Sequence, residues 1–239
     1  MTADRWTQEV RHQLGLGRLL PLGGPRDGAW IAEGAAVAVL SRAASGVPGV
    51  RLGALRIRLA DPDDVHEPVV PPPPSALSPG SLRVTADFAA TSAEPLPATA
   101  SRLRLTLAAA ATEHLGLAVT EVDLRVTGLL EAVGQPTAAP APQPLPARVT
   151  TDPDETRVVE AALAVPGVTC LTGSLGGLGR AVHVEERAGD MSLPHRHVRV
   201  ELATSAGHRA VDVARQVRGA VRDALDDHPT VAVLVTSVE

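Results

Sequence analysis

Two stretches decide how this chain is read: "ASGVPGVRLGALRIRL", Ala44 to Leu59, and "ALAVPGVTCLTGSLGGL", Ala162 to Leu178. Both carry Val-Pro-Gly-Val, and both follow an apolar, alanine-rich segment. Proline cannot continue a helix and glycine tolerates the turn that follows, so each stretch marks a helix end leading into a strand. Working outward, the same succession appears twice. An alternating strand follows in each case, "SLRVTADFA" from Ser81 and "HVRVELATS" from His197. Next comes a long Ala/Arg segment, "PATASRLRLTLAAAATEHLG" from Pro97 and "GHRAVDVARQVRGAVRDALDDHP" from Gly207. Each half closes on a strand, "AVTEVDLRVTGLL" from Ala118 and "TVAVLVTSVE" from Thr230. A repeat longer than 100 residues indicates duplicated domains rather than a solenoid.

The expected fold is therefore α+β. Two tandem small domains each run helix-strand-strand-helix-strand, with two helices on one face of a roughly three-stranded sheet. A one-sided sheet suits alternating strands. The chain divides into an N-terminal segment 1–29, a first domain 30–131, a proline-rich linker 132–151 and a second domain 152–239. The first domain carries a proline-rich insert at 61–80. Proline lacks an amide donor, so insert and linker are both expected to be extended or disordered. Pro71 to Pro74 reads as solvated linker before it reads as a polyproline ligand. In the N-terminal segment, Trp6, Val10 and Leu14 fall at i, i+4, i+8, which reads as a short helix packed onto the first domain before it reads as an interfacial or partner-docking one.

Local signals agree. Asp152 reads as an N-cap, Pro153 as the first helical residue, and Glu155 as the return partner of a capping box. Val158, Val159, Ala162 and Leu163 share one helical face; Val213, Val217, Val221 and Leu225 form another stripe. "RLRLTL" from Arg102 alternates like a strand, but the alanine run from Ala108 to Ala111 favours helix.

At this point the pattern resembles the bacterial alkaline-shock-protein family, small cell-envelope stress proteins of Gram-positive bacteria. The resemblance rests on Ile31-Ala32-Glu33, Val47-Pro48-Gly49-Val50 and "VTEVDLRVTGL" (Val119 to Leu129) in the first half. In the second half it rests on Val165-Pro166-Gly167-Val168, the glycine stretch and the second helix. The closing strand of the second half ends on Thr236-Ser237 and lacks the final glycine, and the first half lacks the glycine stretch. The resemblance implies a non-enzymatic protein linked to envelope stress, with a protein partner that can be membrane-anchored, and with self-association.

Composition narrows the alternatives. The 239 residues include one Phe, two Trp and no Tyr, so the core must be built from Val, Leu and Ala. Lys and Asn are absent, which reads as the codon bias of a GC-rich genome. A net charge of -5 argues against nucleic acid as a partner. The single Cys170 excludes an internal disulfide and fits a reducing compartment. No basic-then-apolar leader is visible, and no run approaches the roughly 20 apolar residues of a membrane span. The expectation is a cytoplasmic protein that reaches a membrane only through a partner.

The glycine stretch fails as a phosphate loop: a Walker A motif needs Lys, and Gly173, Gly176, Gly177 and Gly179 do not fit G-x-G-x-x-G. It also runs from a helix toward a strand, so no helix N-terminus would face an anion. "GGLG" matches the G-x-x-G of a KH loop, but that loop joins two helices. It reads as a structural turn, and no cofactor is implied. Ser174 lacks a G-x-S-x-G context, and Cys170 sits in an apolar one where a thiol is inert packing. His114, Glu113 and Asp123 are scattered, so no catalytic set forms. "AVHVEE" and "LPHRHVRVEL" read as a hairpin. Its alternation sends Val182, Val184, Val198, Val200 and Leu202 inward, and His183, Glu185, His195, His197, Arg199 and Glu201 outward. In that hairpin His183 sits opposite His197, with His195 near Glu185. These four are the weak candidates for a metal or small-molecule site; the competing reading is a solvated face with ordinary charge pairs.

Overall fold

The computed structural model describes residues 17–131, 147–148, 150–174, 179–189 and 192–239. The N-terminal stripe of Trp6, Val10 and Leu14, most of the 132–151 linker, and Gly176 and Gly177 lie outside them. A hairpin of β1 (Leu19–Pro21) and β2 (Ala29–Ala32) leads into α1 (Glu33–Ser45), β3 (Val50–Leu59) and β4 (Leu82–Thr91). Then come α2 (Leu96–Ala109), extended by a π-helical turn at Ala110–Leu115, and β5 (Val119–Leu130). Beyond the linker lie α3 (Pro153–Leu163), β6 (Val168–Leu171), β7 (Val182–Gly189), β8 (Ser192–Thr204), α4 (Ala210–Asp223) and β9 (Thr230–Val238). The fold is α+β. The order helix, strand, strand, helix, strand runs through 33–130 and again through 153–238, with β6 and β7 together standing where β3 stands.

The two Val-Pro-Gly turns are built alike. Gly49 and Gly167 have φ of 74° and 93°, the left-handed region that favours glycine. Each glycine carbonyl then accepts from the far end of the partner strand, from the Thr91 amide at 2.9 Å and the Ser205 amide at 2.8 Å. In both halves the first strand pairs antiparallel with the second, and the last returns parallel to the second across a helix. The Asp152 carboxylate caps α3, accepting from the amides of Asp154 and Glu155 at 2.9 and 3.0 Å. The return half of the capping box differs from expectation. The Asp152 amide donates to the Thr150 hydroxyl, and Glu155 instead accepts from that hydroxyl at 2.5 Å.

Three expectations need correction. The first sheet has three strands, β3-β4-β5, but the second has six, in the order β1-β2-β9-β8-β6 with β7 also on β8. Its extra strands come from the N-terminus: β2 pairs parallel with β9, Trp30 beside Leu234 and Ile31 beside Val235. The boundary expected at 29/30 thus falls inside β2, because a strand pairs wherever an open edge meets its backbone, whatever its place in the chain. The insert at 61–80 is also packed in part: Asp61 to Glu67 are exposed, but its later half docks against the hairpin. Val70, Pro73 and Pro79 are buried, the Trp30 indole donates to the Leu77 carbonyl at 3.2 Å, and the Val69 amide donates to the Pro25 carbonyl. Extended proline segments hide apolar rings well when a neighbouring strand supplies the surface.

Apolar residues of both halves form one core, led by Trp30, Phe88, Leu40 and Leu103. Helix α1 touches both β3 and β9 and so bridges the sheets. The expected stripe of Val213, Val217, Val221 and Leu225 is buried throughout. Polar contacts reinforce the join. Arg209 Nε donates to the Thr112 carbonyl at 2.9 Å, and Arg215 grips Asp27 with two bonds of 2.8 and 2.9 Å. Arg215, then the Gly24 amide, hold the Asp27 carboxyl below the usual carboxylate range despite partial burial. A depressed carboxyl contributes stability above its unfolded pKa, and that contribution is lost as pH falls through the lower folded value. Asp27→Asn should therefore cost about 1 kcal/mol at neutral pH. The deficit should begin to shrink below about pH 4, where the carboxyl of the unfolded chain protonates, and go on shrinking until the folded carboxyl protonates at lower pH. Chemical denaturation at the two pH values checks this; an equal deficit at both contradicts it.

Candidate functional site

The most unusual chemistry lies where the glycine stretch leaves the edge of the second sheet. β6 ends at Leu171 opposite Leu202, and β7 resumes at Val182 opposite Val200. The single residue between, Glu201, bonds both sides of the gap: its carbonyl accepts from the Thr172 amide at 3.0 Å and its amide donates to the Ala181 carbonyl at 2.8 Å. The chain thus leaves the ladder at Thr172 and rejoins it at Ala181, on either side of one rung. The neck explains a glycine directly. A Cβ on Gly173 would run into the backbone of Gly179, so the crossing admits no larger residue.

Beneath this neck lies a polar centre. The Glu201 side chain is 0% exposed, and its Oε2 accepts from the Ser174 amide at 2.8 Å. His183 Nε2 stands 3.5 Å from Glu201 Oε1. Nearby, the Thr172 and Thr236 hydroxyls meet at 2.8 Å, and Thr236 donates to the Leu202 carbonyl. Sequence reasoning placed Glu201 on a solvated face. The alternation was right, since Glu201 shares a face with His183 and Arg199; the covering of that face was not anticipated. Only the return of β6 and β7 to the same partner strand could have signalled it.

The expected hairpin exists, with its register displaced by two residues. His183 lies opposite Arg199, Glu185 opposite His197, and Arg187 opposite His195. His197 is 4% exposed, with Nδ1 2.9 Å from the Thr230 hydroxyl. His195 is exposed and lines a separate cleft of about 430 Å³ with Glu186 and His228. The four candidate residues are therefore not brought together as expected. Among the described residues no three His, Cys, Asp or Glu side chains are placed to hold a metal ion. Asp190 and Met191, between the two strands, lie outside the described residues.

A larger groove, of about 760 Å³, runs between α3 and the β6–β7 edge. Val159, Leu171 and Val182 supply apolar lining; Asp152, Glu155 and Arg180 supply charge. Both carboxylates are already engaged, Asp152 with helix amides and Glu155 with Thr150 and with Arg180 at 3.6 Å. Cys170 also lines it. Burial, followed by the nearby charge of Glu239, pushes this thiol up, which leaves it a poor nucleophile at neutral pH.

The remaining candidate is a surface. β5 is a 12-residue edge strand, paired on one side only, with β4, among the described residues. Its outer face carries Glu121, Asp123 and Arg125, tied to β4 by Arg83–Glu121 at 2.5 Å and a bidentate Arg125–Asp87 pair at 2.8 Å. Its inner face carries Val122, Leu124 and Val126; Val126 is 42% exposed and Leu129, further on, 66%. The opposite edge of the same sheet is treated differently. On β3 the Ile57 carbonyl accepts from Arg18 at 2.7 Å and the Ile57 amide donates to Glu33 at 3.3 Å, so side chains occupy groups that a further strand would use.

Among the described residues no helix is long and apolar enough to cross a membrane. No family model matches the chain, and no curated protein matches it. The neck itself makes a direct prediction. Gly173→Ala should destabilise the fold by about 2–3 kcal/mol as backbone shifts to admit the methyl group, lowering Tm by roughly 4–12 °C. Gly128→Ala is the control, since nothing lies within 4 Å of the site of its Cβ; thermal melts showing equal losses for both would refute the neck.

Proposed function

We propose that this protein works by holding protein partners rather than by catalysis, as an envelope-stress scaffold of the alkaline-shock type. On this reading it acts in the cytoplasm and meets the membrane through a partner. The observation that carries the proposal is the open edge of β5. An edge strand offers a row of unpaired amides and carbonyls, and natural sheets blunt such edges unless they are used. β3 is blunted at Ile57 by Arg18 and Glu33; β5 is longer, and its end carries exposed Val126 and Leu129. The ordered motifs shared with that family add weight. The engaged carboxylates of the groove, the raised Cys170 thiol and the separated histidines give catalysis and metal binding no comparable support.

The test is capture of partners from lysate of the source cells by the full chain and by Val126→Lys. A lysine projecting from the half-exposed inner side of an edge strand obstructs pairing with little cost to the fold. Capture by the wild type should be lost in the variant while its circular dichroism is unchanged. Equal capture by both would remove β5 as the contact surface.

A further inference from the structure

We propose that the partner of β5 is a second copy of the same strand, joined antiparallel about a two-fold axis at Leu124. This rests on the protein-interaction reading above and names its partner. The argument is one of complementarity read along β5. A two-fold axis at residue 124 places residue 123 opposite residue 125 of the second copy, and residue 122 opposite residue 126. On the outer face Asp123 then meets the second copy's Arg125, and Arg125 meets its Asp123. On the inner face Val122 meets Val126, and Leu124 meets itself. Opposite charges and apolar pairs directly across a ladder both stabilise it.

Other axes do worse. An axis at Val122 sets Asp123 against Glu121, and an axis at Val126 sets Asp123 against Leu129. The register at Leu124 is the one that pairs both charges. The side chains are available for it. Arg125 is 77% exposed and Asp123 63% exposed, although each already has a partner within its own sheet, Asp87 and Arg83 respectively. One bond must yield: Arg104 Nε donates to the Val122 carbonyl at 3.1 Å and gives up that contact when the strands join. The ladder irregularity between Phe88 and Ala89, at Thr127, limits the regular pairing to residues 122–126. The topology supplies a precedent. In the second half the strand standing where β5 stands is β9, and its outer edge is filled by β2. Joined at β5, two three-stranded sheets become one of six strands, and the association is closed and isologous.

Cross-linking tests the register. In a Cys170→Ser background, Leu124→Cys places two thiols on strands whose Cα atoms lie about 4.5–5.5 Å apart, within disulfide range. It should oxidise to a covalent dimer of twice the 24.6 kDa chain mass. Val122→Cys or Val126→Cys alone should not, while an equimolar mixture of the two should. Sedimentation over a concentration series supplies the second measurement. Asp123→Arg should weaken the dimer about tenfold, since it turns two attractive pairs into repulsive ones. Asp123→Arg combined with Arg125→Asp should recover it, with circular dichroism confirming that each variant is folded. Cross-linking at all three positions, or at none, overturns the proposal, as does a wild type that sediments as one chain. A monomeric wild type whose partner capture is still lost in Val126→Lys would overturn self-pairing alone and leave the interaction reading standing.

Discussion

Strand β9 has no side that faces water. It is hydrogen-bonded in parallel to β8 on one edge and to β2 on the other, and Val231 through Val238 are buried along both faces. A parallel strand in this position must be uncharged and largely apolar, and "TVAVLVTSV" is, with Val231 to Val235 as its apolar run. The rest of the molecule is arranged around meeting that demand. The hairpin β1–β2 crosses from the N-terminus to close the open edge. The proline-rich insert then covers the hairpin, with the Leu77 amide donating to the Leu19 carbonyl and the Trp30 indole to Leu77. Arg215 and Arg218 of α4 fasten the hairpin loop at Asp27 and at the Arg26 carbonyl, at 2.8 and 2.5 Å. Two halves that share an element order are in this way made into one body with one core.

The comparison of β9 with β5 shows how much of this was legible. Both close their halves, and both return parallel to the strand before the crossover helix. Yet β5 reads "VTEVDLRVTGLL", with charge at every second position from Glu121 to Arg125, while β9 carries no charge from Thr230 to Val238. That difference states that one strand is open on a face and the other is not. Period and capping residues were likewise readable: Asp152 does cap α3, and the Val213 to Leu225 stripe is buried. Choice of partner was not readable. Which strand fills an edge depends on what the rest of the chain brings within reach, and β2 offers only four residues of pattern. The displaced His183 register has the same origin, because alternation fixes the face of a strand and leaves its slide along the neighbour free by steps of two.

The polar centre under the glycine stretch illustrates a different limit. Glu201 lies between Val200 and Leu202 in a strand that alternates well, and alternation alone assigns it to water. What changes its environment is the neck where residues 172–174 meet 179–181, which can close only because Gly173 meets Gly179 without a side chain. Burying a carboxylate is costly unless a donor is supplied; the Ser174 amide donates to Glu201 at 2.8 Å, and His183 Nε2 stands 3.5 Å from its other oxygen. The glycines that suggested a phosphate cradle thus do have a polar task. Gly173 and Gly179 close the neck that brings the Ser174 amide onto an anion, and that anion is the protein's own carboxylate.

The treatment of sheet edges links these features to function. The first sheet blocks β3 with Arg18 and Glu33, at a cost in two ordered long side chains. The second sheet closes β9 with β2, and the incoming chain at Ala147 donates to the Leu171 carbonyl of β6 at 3.2 Å. Against that background, the 12-residue β5 edge stands out: among the described residues no second strand pairs with it, Arg104 engages its Val122 carbonyl, and it bears a balanced Asp123 and Arg125 and an exposed Val126. Among the described residues β3, β5 and β7 each keep an edge that no strand pairs; β5 is the longest of them, and the proposed self-pairing rests on its match with itself in charge and in apolar surface.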